Sequence, residues 1–214
     1  MSRRDELAAN LASVQSRITN PNVTLIVVTK TYPVSDVQIL SELGITHFGE
    51  NRNEEGLEKS SIVDATWHYQ GEIQSRKLRD IAQWANVIHS LDTASHIAKL
   101  DSVATSTIDV FLQLSLDGDP SRGGVIESEL APLADSVLAS SHLNLMGLMC
   151  VPPVATDPRM AFTEIAAIHR RFISTYPAAK SLSAGMSGDY EIAIDCGATH
   201  IRVGSSILGS RTTR

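Results

Sequence analysis

The chain has 214 residues, enough for one domain with a sizeable core. Hydrophobic residues at 43% and charged residues at 20% make a folded globular composition and exclude a disordered one. With 18 Lys and Arg against 24 Asp and Glu, the net charge of −6 argues against nucleic acid or an anionic membrane as a partner.

A helix is expected over 4–19, where Leu7, Leu11, Val14 and Ile18 share one face. Asn20-Pro21-Asn22 stops it. Val23 to Thr29 is a continuous apolar run, the pattern of a strand buried on both faces, with Lys30 at its end. The same rhythm then repeats. Strands are expected at 45–49, 66–70, 87–90, 109–114, 145–149, near 180–184 and at 200–203. Helices are expected near 35–43, 52–60, 74–84, 94–103, 126–139, 158–175 and 188–196. Pro158 suits a first helical turn, with Thr156 or Asp157 as its cap.

Eight strands alternating with helices read as a (β/α)8 TIM barrel with an extra N-terminal helix, at about 27 residues per unit. No linker or composition shift divides the chain, so 1–214 reads as a single domain. A doubly wound open sheet would usually carry a glycine-rich loop after its first strand. Thr29-Lys30-Thr31-Tyr32-Pro33 stands there instead.

The N-terminus follows Arg3-Arg4 with Asp5-Glu6, not with the apolar run of a signal peptide. No stretch approaches the ~18 apolar residues of a membrane span. Cys150 and Cys196 have no metal-type spacing, and the seven histidines form no HxH or HExxH pattern. The expectations are a cytoplasmic location, reduced thiols, no metal, and no membrane or nucleic-acid partner. Cys150, Trp67 and Trp84 read as packing residues, and His142 and His169 as solvent-facing.

In a barrel, chemistry gathers at the C-terminal ends of the strands. Those ends carry Lys30, Gly49-Glu50-Asn51, His68 through Gly71, Ser183 through Ser187, and Arg202 through Ser206. Lys30 follows an apolar run, where an ammonium is costly. It is either a snorkelling or salt-bridged lysine, or an amine with a depressed pKa that forms a Schiff base. Position alone does not separate the two. Ser183-Ala-Gly-Met-Ser187-Gly188 and Arg202-Val-Gly204-Ser205-Ser206 are small-residue turns able to offer amides to an anion. A phosphate held opposite a lysine amine describes pyridoxal phosphate (PLP).

The stretches VTKTYP around Lys30, HFGENRNEEG at 47–56, WHYQGEIQSRK at 67–77, GLMCVPP at 147–153 and LSAGMSGDYEIAIDCGATHIRVGSSILGSR at 182–211 resemble the YggS/PROSC family of PLP homeostasis proteins. That family is related to the N-terminal barrel of alanine racemase. The resemblance runs from residue 24 to the C-terminal region. It implies that Lys30 forms the internal aldimine, that Arg202 lies near the pyridine nitrogen, and that Ser183 or Ser187 holds the phosphate with Gly204 and Ser205. It also implies that Asn51 and His68 line the other side of the cofactor. Glu72, Ala184 and Arg122 depart from the commoner family residues and put contacts at the rim in doubt.

The resemblance implies a PLP-binding homeostasis or delivery protein without robust turnover, its partners being PLP and recipient apo-enzymes. The alternative is a small PLP enzyme such as an amino-acid racemase. Racemisation needs acid–base groups on both faces of Cα. Alanine racemase takes one of them from a second domain of its partner subunit, and this chain ends at Arg214, soon after the eighth strand. The expectation is therefore a carrier with no catalytic residues, and a monomer, since that domain also carries much of the racemase dimer contact. A scaffold protein with a vestigial barrel would form no Schiff base at all.

Overall fold

Eight parallel strands close into a barrel in simple chain order, β1 pairing with both β2 and β8. The computed structural model describes residues 2–209. The strands are β1 (Thr24–Val28), β2 (His47–Glu50), β3 (Thr66–Tyr69), β4 (Val87–Leu91), β5 (Ile108–Leu114), β6 (Leu143–Cys150), β7 (Ser181–Met186) and β8 (His200–Val203). The helices are α1 (Arg3–Gln15), α2 (Val34–Glu42), α3 (Asn53–Ser60), α4 (Leu78–Ile81), α5 (Ala94–Val103), α6 (Glu127–Leu138), α7 (Pro158–Thr175), α8 (Tyr190–Asp195) and α9 (Ser205–Leu208). This is the (β/α)8 barrel with an extra N-terminal helix that the alternating pattern implies. The family-like stretch at 182–211 ends in Ser210 and Arg211, which lie outside the described residues.

Local chemistry sets the helix starts. A capping box opens α1: Ser2 Oγ accepts from the Asp5 amide, and the Asp5 carboxylate accepts from the Ser2 amide. Asp157, not Thr156, caps α7 by accepting from the Met160 amide at 3.0 Å. Three segments differ from expectation. The helix expected over 4–19 ends at Gln15, so Ile18 lies beyond it. The helix expected at 74–84 shrinks to a tight turn at Ser75–Lys77 followed by α4. The short α9 was not anticipated, because four residues cannot display a helical period. Arg3 grips Asp36 with two hydrogen bonds and also donates to the Leu208 carbonyl, while Asn10 donates to the Ile207 carbonyl. These bonds fasten α1 to α2 and α9.

The main core lies between the barrel and its helices. It includes Leu7, Leu11, Val27, Phe48, Trp67, Trp84, Leu112, Phe162 and Ile201. His169 corrects the solvent-facing reading: it is buried, on the stripe of α7 that also presents Phe162, Ile165 and Phe172. Its spacing of three, four and seven residues from Phe172, Ile165 and Phe162 explains this. No helix among the described residues is long and apolar enough to cross a membrane.

The barrel interior is half polar. Val87, Phe111 and Met149 form a small apolar cluster there. Beside it runs a chain of side chains: Arg202, Ser183, His89, His68 and His47. Strands β4 and β7 are not neighbours, so the 2.9 Å bond between His89 and Ser183 crosses the interior. Arg202 can only donate, so Ser183 Oγ accepts from it at 2.7 Å, and the same oxygen lies 2.9 Å from His89 Nδ1. His89 Nε2 pairs with His68 Nδ1 at 2.9 Å, and His68 Nε2 with His47 Nδ1 at 3.0 Å, one proton being shared across each pair. His47 is half-buried at the opposite, N-terminal mouth, where it lines a separate opening with Thr24 and Ile45.

This burial disfavours the charged form of His47, His68 and His89. Burial pushes His68 and His89 well below the ordinary imidazole range, and positive charge on neighbouring histidines or on Arg202 adds to it. Burial lowers His200 to about 4, with His47 and Arg202 adding to the effect. The unfolded chain therefore binds more protons than the folded one below pH 6.5, so stability is complete above that pH and falls on acidification. His200 alone contributes about 3 kcal/mol to that loss between pH 6.5 and its folded value of about 4. Urea unfolding measured across this range should show the midpoint dropping steeply below pH 6.5. A midpoint that stays level to pH 4.5 would contradict the neutral chain.

Gly56 in α3 provides a second check. A Cβ there would lie 2.2 Å from the Trp84 ring, whose Nε1 donates to Asn53 Oδ1 on the same helix. Gly56→Ala should destabilise the fold by about 1–3 kcal/mol in denaturant unfolding, despite the higher helix propensity of alanine.

Candidate functional site

A cavity of about 410 Å³ opens at the C-terminal end of the barrel. It is lined by Lys30, Asn51, Ser187, Arg202, Gly204 and Ser205, six of the eight residues singled out from sequence. They come from the ends of β1, β2, β7 and β8, which closure of the barrel brings together. Lys30 lies two residues beyond β1, after the buried Thr29.

The other two, His68 and Ser183, do not line the cavity. The sequence reading ended strand seven near 184, which put Ser183 at the rim. In the structure β7 continues to Met186, so Ser183 lies three residues deeper and is fully buried. His68 is likewise inside β3 and buried, between His47 and His89. Ser187 is thus the serine at the cavity, and Ser183 is the support beneath Arg202.

Sequence reasoning missed Gln70, which lines the same cavity. The signal was available. Gln70 is two residues after His68, and side chains two apart on a strand share a face, one layer higher toward the C-terminal end.

Arg202 is 5% exposed. Its guanidinium donates to Ser183 Oγ at 2.7 Å and to the Cys150 carbonyl at 3.0 Å, both neutral partners. Burial lowers its pKa to about 10, which still leaves it fully charged at neutral pH. A buried cation with neutral partners facing a cavity suits an anionic or electron-rich ligand. Cys150 itself is buried, and burial pushes its thiol up to about 12, so it is a packing residue. Cys196 is also free of a disulfide.

Two polar atoms around the cavity are buried without a hydrogen-bond partner: Asn51 Oδ1 and Gln70 Nε2. Each would cost about 1–3 kcal/mol if left unsatisfied. Across the cavity, Ser187 Oγ accepts from the amides of Gly204 and Ser206 at 3.2 and 3.4 Å, and Ser206 Oγ donates to the Ser187 carbonyl. These bonds join the loops after β7 and β8 into one wall of amides and hydroxyls. At Gly188 a Cβ would meet nothing within 4 Å, so the wall opens directly onto the cavity.

The rim differs from the interior. Arg122 donates to Asp117 Oδ2 at 2.9 Å and to the Val151 carbonyl at 2.6 Å, drawing the loop after β5 toward the end of β6. Glu72 is exposed, and its carbonyl accepts from the Tyr69 hydroxyl at 2.8 Å. Ala184 is fully buried in the main core, away from the rim. Among the described residues, no group of three His, Cys, Asp or Glu side chains is arranged to hold a metal ion.

The alanine racemase N-terminal domain family model matches residues 3–212. A pyridoxal phosphate homeostasis protein of Corynebacterium glutamicum is 41% identical over 201 residues, which cover 89% of this chain and 91% of that protein. The structure of PipY from Synechococcus elongatus, solved with PLP bound, aligns with a TM-score of 0.86 at 30% identity, covering 95% of this chain and 100% of that one. An alanine racemase of Clostridium difficile shares the fold, with a TM-score of 0.79 at 12% identity, over 98% of this chain and 60% of the racemase. On its strand-end residues, its barrel and these relatives together, the chain belongs to the pyridoxal phosphate homeostasis protein family, within the alanine racemase N-terminal domain family.

Proposed function

We propose that this protein holds pyridoxal 5'-phosphate as a Schiff base on Lys30 and takes part in intracellular PLP homeostasis, delivering the cofactor to apo-enzymes without robust turnover of its own. The observation that carries this reading is the single cavity that gathers the Lys30 side chain, the buried Arg202 guanidinium, the unspent polar atoms of Asn51 and Gln70, and the Ser187–Gly204–Ser205 wall. The names of the relatives support it.

When bound, PLP supplies an aldehyde that amines capture reversibly. Lys30 would supply the amine that captures this aldehyde. Ser187 with the Gly204 and Ser205 backbone holds the phosphate. Arg202 would face the pyridine nitrogen and, as a cation with a pKa of about 10, would offer it a hydrogen bond without protonating it, leaving a weak electron sink that suits a carrier. Asn51 and Gln70 hold the opposite side.

The tyrosines support the carrier over the racemase. A second acid–base group would have to present a free hydroxyl to the far face of the cofactor. Tyr32 lines the cavity, but its hydroxyl donates to the Gly209 carbonyl at 2.6 Å. The Tyr69 hydroxyl is engaged with Glu72, and burial pushes it up to about 12. A cytoplasmic location, one barrel domain over 1–214 and a monomeric state complete the proposal.

Incubation with PLP, borohydride reduction and peptide mapping should place a stable adduct on the Lys30 peptide, absent in Lys30→Ala. An adduct on another lysine, or none, would overturn the reading. The loaded protein should racemise and transaminate amino acids far more slowly than the ordinary enzymatic range of about 1–1,000 per second. Turnover within that range would establish the racemase-type alternative instead.

A further inference from the structure

We propose that Glu55 and Lys59 of α3 are positioning residues, clasping the backbone on both sides of Lys30 so that its amine is held ready for an aldehyde. This rests on the PLP reading above. Thr31, the residue after Lys30, has φ 71°, and among the described residues no other non-glycine has a positive φ. A β-branched residue adopts that conformation only where its surroundings impose it.

The constraint is visible. The Thr31 amide donates to Glu55 Oε2 at 2.6 Å. Lys59, 2% exposed, donates to the Thr29 carbonyl at 2.8 Å, to Glu50 Oε1 at 2.6 Å and to Glu55 Oε2 at 3.2 Å. Its three protons are thereby spent. Glu50, fully buried at the end of β2, also accepts from Thr29 Oγ1 at 2.6 Å. Thr29 is therefore held through its carbonyl and its hydroxyl, and Thr31 through its amide. Lys30 is the residue between them.

A buried ion pair is a poor stabiliser compared with apolar packing of the same volume. What this one supplies is geometry, fixing the direction in which the chain leaves β1. The pair Glu55 and Lys59 stands one helical turn apart on α3, the spacing at which both side chains reach the same point. Without the clasp, Thr31 would relax toward an ordinary β or α conformation and turn the Lys30 stem away from the cavity.

A rescue experiment separates positioning from general support, using Glu55→Ala, Thr31→Gly and the double variant. Glu55 is partly exposed, and its removal leaves Lys59 paired with Glu50. Glu55→Ala should weaken formation of the reducible PLP adduct on Lys30 by about tenfold. Thr31→Gly in that background should restore most of the loss, because glycine takes a positive φ without being held. A second readout needs no cofactor: amide hydrogen exchange at Thr31 in the cofactor-free protein should accelerate at least about tenfold in Glu55→Ala, with the β1 amides unchanged. Unchanged protection at Thr31, an unchanged adduct titration, or a deficit that Thr31→Gly does not rescue would each overturn the clasp. A wild-type protein that captures no PLP on Lys30 overturns the cofactor reading, while the Thr31 exchange rates still judge the clasp.

Discussion

A guanidinium buried inside the barrel, bonded only to neutral partners, organises much of what surrounds it. Arg202 cannot accept a hydrogen bond, so Ser183 accepts from it, and the same hydroxyl meets His89. His89 and His68 continue the series of contacts to His47. The charge of Arg202 also disfavours protonation of His89 and His200. A polar column through the interior is tolerable because each member is satisfied by the next, whereas a half-paired network would be worse than an apolar core. In an acidic chain of net charge −6, this local cation and the amide wall opposite it, not a basic surface, make the cavity hospitable to an anionic ligand.

The barrel sorts residues by depth as well as by direction. Lys30, Asn51, Gln70 and Arg202 form the layer that meets the cavity. Ser183, His68 and His89 form the layer beneath and are buried. The upper layer presents its polar groups to the cavity, while the lower layer supports it from beneath. Two residues along a strand separate these roles, a rise of about 6–7 Å. The loops obey the same logic. Ser187 and Ser206 tie the last two loops to each other, and Arg3 and Asn10 tie α9, which follows them, to α1. The helix in front of the first strand thus supports a wall built by the last.

The fold was legible in the sequence wherever burial imposes a repeat. The apolar runs Leu25–Val28 and Val110–Leu112 marked β1 and β5, and the amphipathic stripe marked α7, to within a few residues. His169 lay on that stripe and could have been placed in the core by its spacing. The end of β7 was not legible, because Ser-Ala-Gly-Met-Ser carries no apolar signal by which a strand can be told from a turn. That ambiguity moved Ser183 to the rim. Gln70 was missed for the opposite reason: it sits in a clear strand-end motif, but a glutamine has no chemistry that singles it out.

What the amino-acid order settled was the architecture, the lysine at the end of the first strand and the glycine–serine turns after the last two, because these depend on local periodicity and on residues with no other conformational use. Which serine faces the cavity, how five polar side chains from β2, β3, β4, β7 and β8 join into one chain, and how Lys59 and Glu55 enclose the Lys30 turn depended on barrel closure. Those contacts link residues up to 94 positions apart, and their meaning comes from distances of about 3 Å that no spacing along the chain encodes.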